Sequence, residues 1–250
     1  NARYSRLSTT RVLSRHLRQT RPESYLLHEL PVERPSLPRW YLYSQNEISH
    51  LLQRARSLGP AHSLRPHCMH LLVGLLFVTG LRISEALALN LGDVKVTHGL
   101  ILVRRGKFGK ARYVVIDTST IRIVKQYLSK RAAYGSSTGS SPLFLTASGN
   151  RLEYERARDT FRQMVKACGI GCDAVLPPRI HDARHTYACN CVLKWYEEGA
   201  DVNAKLPILA TAMGHVNIAC TQIYLHVTSR LLDQATERFR GIFTANCKGE

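Results

Sequence analysis

From residue 39 onward, apolar residues recur mostly at intervals of three and four, the period of helices that turn one face inward. Ile48, Leu51, Leu52 and Ala55 mark the first such face, and Ser44 precedes Glu47 at the spacing of a capping box. A second helix is predicted over about His67 to Val78, and a third from near Arg82 to about Asn90. The run Leu71 to Val78 is apolar on every side and reads as a buried helix, far too short for the ~30 Å of a bilayer.

The pattern changes between Val94 and Asp117. Apolar and β-branched residues in Leu100 to Val103 and Tyr113 to Ile116 flank the turn-forming stretch Gly106 to Lys110, which predicts a β-hairpin. Gly135 to Pro142 reads as a loop. The remainder, Tyr154 to Phe243, reads as helices separated by Gly169 to Pro178 and Gly199 to Pro207. At its end Leu231, Leu232, Ala235, Phe239, Ile242 and Phe243 form one apolar helical stripe. The expected fold is mainly α with a small antiparallel β-sheet, without internal repeats.

Ahead of this body lies a different kind of segment. Arg3, Arg6, Arg11, Arg15, Arg18 and Arg21 surround Leu7, Val12, Leu13 and Leu17 in a pattern that suits one basic amphipathic helix. Pro31 to Pro38 then holds three prolines, which disfavour regular structure and mark a linker. The expected division is 1–38 and 39–250. A chain that begins with Asn rather than Met also suggests a fragment.

Charge narrows the partners. Lys plus Arg number 35 against 18 Asp plus Glu, a formal charge of +17, and such a surface attracts polyanions. Nucleic acid is the leading partner and an anionic membrane surface the rival. Asn1 to Thr10 contains no apolar stretch, so neither a secretory signal nor an anchor is expected, and the protein is placed in the cytoplasm with access to DNA. Seven scattered cysteines suit reduced thiols. Cys168, Cys172, Cys189 and Cys191 with His181 and His185 can be drawn as a zinc site, but neither cysteine pair has the usual two-residue spacing, so no metal and no cofactor is expected.

Several side chains stand out as candidate chemistry. Arg82, in Thr79-Gly80-Leu81-Arg82-Ile83-Ser84-Glu85, follows a strongly apolar segment, where a partly desolvated guanidinium needs an anion; Glu85, three residues on, is the ordinary structural partner. Lys107 sits at the tip of the hairpin in Gly106-Lys107-Phe108-Gly109-Lys110. Basic tips often serve only solubility, yet a mobile ammonium also reaches a phosphate or protonates a leaving oxygen. His181 and Arg184 share a helical face, and His215, after Gly214, precedes Tyr224 by nine residues. Each of these alone is equally a structural residue.

In this order and setting Arg82, the turn lysine, His181-x-x-Arg184, His215 and Tyr224 resemble the active site of the tyrosine recombinase (phage integrase) family. The resemblance covers about residues 39 to 240. Its strongest blocks are Thr79 to Glu85, His181-Asp182-Ala183-Arg184-His185-Thr186, and Gly214-His215 through Tyr224-Leu225-His226. It implies a site-specific recombinase or integrase that cuts and rejoins double-stranded DNA through a 3′-phosphotyrosyl link at Tyr224, without metal or ATP. It further implies that Arg82 and Arg184 clamp the phosphate, that His215 donates to it, that His181 is the base, and that Lys107 protonates the leaving 5′-oxygen. A homotetramer on paired sites is implied, and the C-terminal stripe either docks on its own catalytic domain or, as in related chains, passes to a neighbour.

Two departures from the family matter. Phe108 replaces the second glycine of the usual Gly-Lys-Gly hairpin, which leaves Lys110 as an alternative to Lys107. Residues 1–38 match only the last helix and linker of the family's N-terminal core-binding domain, so the DNA clamp is expected to be truncated. The rival functions are a type IB topoisomerase, which shares the chemistry, and an inactive DNA-binding regulator on the same fold.

Overall fold

The computed structural model describes residues 2–27, 40–60, 62–104, 106, 111–215, 217 and 220–225. The chain divides into two units, 1–39 and 40–250. The first contains α1 (Ala2–Thr20), which exposes Val12, Leu13 and Leu17. The helix stops at Thr20 and a turn follows.

The second unit is built around one buried helix. α2 (Gln45–Arg56) starts at the expected capping box: the Ser44 hydroxyl accepts from the Glu47 N–H at 3.2 Å, and Glu47 accepts from the Ser44 N–H at 2.7 Å. α3 (Arg65–Thr79) carries the apolar run, and eleven of its residues are buried because α2, a later helix over 118–131 and another over 182–197 pack against it. It ends at Gly80, whose φ of +62° is the left-handed conformation of a helix C-cap. α4 (Ile83–Ala88) is shorter than the predicted Arg82–Asn90, since Leu89 turns to extended backbone.

The hairpin is part of a three-stranded antiparallel sheet: β1 (Val94–Lys95), β2 (Leu100–Val103) and β3 (Arg112–Val115), in that order. Its register pairs Ile101 with Val114 and Val103 with Arg112, which sends Ile101, Val103 and Val114 into the core. Lys107 and Lys110 lie outside the described residues. α5 (Thr118–Arg131), which the apolar pattern did not single out, is capped by Asp117 and buries Thr120, Val124, Tyr127 and Arg131. Two of those four are polar or charged. Arg131 is tolerated at 1% exposure because it donates to the carbonyls of Ser136, Pro142 and Leu143.

Three further helices complete the unit: α6 (Tyr154–Ala167), α7 (Asp182–Glu197) and α8 (Val202–Met213). The gap predicted over Gly199 to Pro207 is narrower than expected, because α8 already starts at Val202 under an Asp201 cap and carries Pro207 inside it. Residues 220–225 are helical. The C-terminal stripe from Leu231 lies outside the described residues. The fold is thus mainly helical with one small antiparallel sheet.

Candidate active site

The C-terminus of α8 is where the candidate residues meet. Helix ends leave carbonyls without intrahelical partners and carry partial negative charge. Here three consecutive carbonyls each accept from a different arginine: Ala212 from Arg112 Nε at 2.8 Å, Met213 from Arg184 Nη2 at 2.6 Å, and Gly214 from Arg82 Nη2 at 3.3 Å. Gly214 takes φ +68° there, and a Cβ on it would lie 2.9 Å from the Arg112 guanidinium. The left-handed backbone favours glycine here, and any larger residue would also displace the Arg112 guanidinium.

Arg184 also reaches the C-cap of α3, donating through Nη1 to the Gly80 carbonyl at 2.6 Å. It therefore spans two helix ends from α7 while only 3% exposed. Among the described residues it makes no salt bridge. Burial, with the nearby Arg82 charge second, lowers its pKa to about 10, so it stays cationic at neutral pH. A buried cation held by neutral carbonyls costs several kcal/mol, which an arriving anion offsets.

Arg82 pairs with Glu85 at 2.8 Å, the ordinary partner expected for it, but Glu85 is shared. Arg112, from β3, grips the same carboxylate through two donors at 3.1 and 2.8 Å. Burial pushes the Glu85 pKa up, yet the hydrogen bonds from Arg112 and Arg82 outweigh it and hold the carboxyl at about 2. Two arginines around one carboxylate leave net positive charge at this point.

Tyr224 is 2% exposed. Its hydroxyl lies 2.9 Å from His185 Nδ1, and its ring faces His215 with centroids 6.4 Å apart and planes 14° from parallel. Burial raises its pKa to about 12 against the pull of Arg184 and Arg82, so the phenol is neutral here. His215 Nδ1 is 2.8 Å from the buried Thr221 hydroxyl, which ties the Gly214–His215 turn to the helical segment that carries Tyr224. His181 stands at the exposed start of α7, with its ring edge-on to His185 at 5.3 Å. Partial burial of the ring and the Arg184 charge lower its pKa. His185 is lowered further, to about 3, mainly by burial and then by His181 and Arg184. At neutral pH both partners of this contact, the phenol and the imidazole, are therefore uncharged.

The structure thus brings Arg82, Arg184, His215 and Tyr224 together, with His181 at the edge. Two further residues of the site carry no sequence signal: Arg112, which lies just outside the expected strand Tyr113 to Ile116, and Trp40, which stacks on His185 with centroids 4.2 Å apart and planes 7° from parallel. His185 belongs to the His181 to Thr186 block but has no role of its own in the resemblance. Among the described residues no three or more His, Cys, Asp or Glu side chains are grouped to hold a metal ion, so the drawn zinc site does not assemble there. No helix among them is long and apolar enough to cross a membrane.

The chain is similar to several known proteins. A putative integrase/recombinase, y4rB of Sinorhizobium fredii (strain NBRC 101917 / NGR234), is 36% identical over 241 residues, 94% of this chain and 76% of that protein. The crystal structure of XerA recombinase superposes with a TM-score of 0.62 at 25% identity, over 83% of this chain and 66% of that one. XerH site-specific recombinase bound to palindromic difH substrate, in a post-cleavage complex, superposes with a TM-score of 0.66 at 22% identity, over 87% and 60%. The chain spans about half to two thirds of the length of the other curated relatives it matches. A family profile described as the phage integrase family matches residues 42–230, and the chain belongs to that family, the tyrosine recombinases.

Proposed function

We propose that this protein is a site-specific recombinase or integrase that cuts and rejoins double-stranded DNA, with Tyr224 as nucleophile. The observation that carries the reading is the buried Arg184, held between two helix ends without a salt bridge among the described residues, beside Arg82 and the Tyr224 phenol. Arginine forks suit the non-bridging oxygens of a phosphodiester, on which charge grows during attack. The formal charge of +17 suits a duplex partner, and the fold is shared with XerH, whose structure is a post-cleavage complex on its substrate.

In this mechanism Arg82 and Arg184 hold the scissile phosphate and His215 donates to it. The Tyr224 oxygen bonds to phosphorus as the bond to the 5′-oxygen breaks. The phenolic proton leaves toward His181, and Lys107 protonates the departing oxygen. The 3′-phosphotyrosyl ester conserves the bond, so the 5′-hydroxyl rejoins by the reverse step without ATP or metal. Residues 1–38 contribute a helix of the DNA clamp and 39–250 the catalytic domain. The working form is a homotetramer on paired sites in the cytoplasm, linked through the C-terminal stripe.

Trapping on a nicked suicide duplex tests the reading. Tyr224→Phe removes only the nucleophilic oxygen, so it abolishes the covalent band and leaves DNA affinity nearly unchanged. An undiminished band in that variant would sink the assignment.

A further inference from the structure

The roles assigned above leave one imidazole of the site unused. His185 follows Arg184 on α7, and its Nδ1 meets the Tyr224 hydroxyl at 2.9 Å. Trp40 lies flat against the imidazole and also contacts Tyr224, with centroids 5.3 Å apart and planes tilted by 43°. His181 meets the imidazole edge-on. The ring that touches the hydroxyl is therefore held on two sides.

A tyrosine swings about two single bonds, and an ångström of misplacement at a reacting atom costs about a hundredfold in rate. Something has to fix the oxygen relative to the arginines. We propose that His185 is the positioning residue for the nucleophile: pinned by Trp40, it holds the Tyr224 oxygen to α7, the helix that also carries Arg184. Nucleophile and phosphate clamp then share one rigid frame. This rests on Tyr224 being the nucleophile. Simple packing does not account for the contact, because a ring stack needs no nitrogen at hydrogen-bond distance from the hydroxyl. The imidazole is uncharged at neutral pH, so it holds the hydroxyl through a neutral hydrogen bond.

The experiment measures single-turnover cleavage and DNA affinity of the full chain. The substrate is a nicked duplex selected from a random-sequence pool by covalent trapping with the native protein. An asparagine amide falls near the place of Nδ1, whereas a glutamine amide reaches the place of Nε2. His185→Asn is therefore expected to cleave within about threefold of the native rate, and His185→Gln and His185→Ala about 10- to 100-fold slower, all with unchanged DNA affinity. Trp40→Leu should fall between them. The pH–rate profile between pH 6 and 9 should keep its shape in each variant, since the group placed is neutral throughout. Equal rates for the Asn and Gln variants, a changed profile, or faster cleavage by His185→Ala would each overturn the proposal; faster cleavage would mean that the contact restrains the nucleophile. Failure of the nucleophile reading itself shows separately, as covalent product in Tyr224→Phe.

Discussion

Arg112 and Glu85 form a two-pronged ion pair, at 3.1 and 2.8 Å, across which the sheet is fastened to the helix that starts beside Arg82. The same carboxylate positions the Arg82 side chain at 2.8 Å and accepts from its backbone N–H at 3.0 Å. One buried acid therefore sets the location of two cations.

That sharing predicts an acid sensitivity. The Glu85 pKa is about 2, against an ordinary 4.5, so the ionised form stabilises the fold by about 3 kcal/mol at neutral pH. The depressed pKa means that this stabilisation is fully present above about pH 4.5 and is lost as pH falls toward 2. Urea unfolding of the native protein should show a steep drop in that window. Glu85→Gln should be less stable at pH 7 and show a shallower drop; equal slopes would remove Glu85 as the cause.

Arg112→Met should leave Glu85 with Arg82 alone and the Ala212 carbonyl without its donor. A loss of about 3 kcal/mol is expected, with slower cleavage as the Gly214–His215 turn loosens. Arg112→Lys, which keeps charge without the fork, should fall between. Thermal melts and single-turnover rates give both readings, and a native-like Arg112→Met would refute the tether.

Arg184→Lys retains a cation but cannot span the Gly80 and Met213 carbonyls and still present a fork. Cleavage should fall about 10²- to 10³-fold while DNA affinity changes little. A matching fall in affinity would instead assign Arg184 to ground-state binding.

These partners show what the sequence displayed and what it withheld. Arg82, Arg184, His215 and Tyr224 sit in local blocks whose spacing survives translation into structure, so their meeting was legible. Arg112 was not, because its partners lie 27 and 100 residues away and nothing in β3 marks it. Trp40 stands just past the expected boundary, and its stack on His185 exists only in three dimensions. α5 carries a weak apolar pattern for a related reason, since its buried face includes Thr120 and Arg131, and the burial of Arg131 depends on carbonyls of the loop that follows the helix.

If Lys107 is the general acid, Lys107→Ala should cleave ordinary DNA slowly and recover on a substrate with sulfur in place of the 5′-bridging oxygen, because a thiolate departs without the proton. Recovery in Lys110→Ala instead would move the role to Lys110.

Truncation after Ser229 removes the apolar stripe from Leu231 to Phe243. It should abolish recombination more completely than single-site cleavage and eliminate higher-order complexes on DNA in analytical ultracentrifugation. Full assembly by the truncated chain would assign the stripe to its own catalytic domain.

The three carbonyls at the end of α8 belong to the main chain, so no side-chain substitution deletes them as acceptors. Their direction is another matter, because each residue advances a helix by about 100°. Inserting or deleting a single residue within α8 turns one part of the helix by that angle against the other, so the acceptors and the buried Val202 and Leu206 cannot all keep their places. The side chains of α8 are thus free to change without deleting these acceptors, whereas the length of the helix is not.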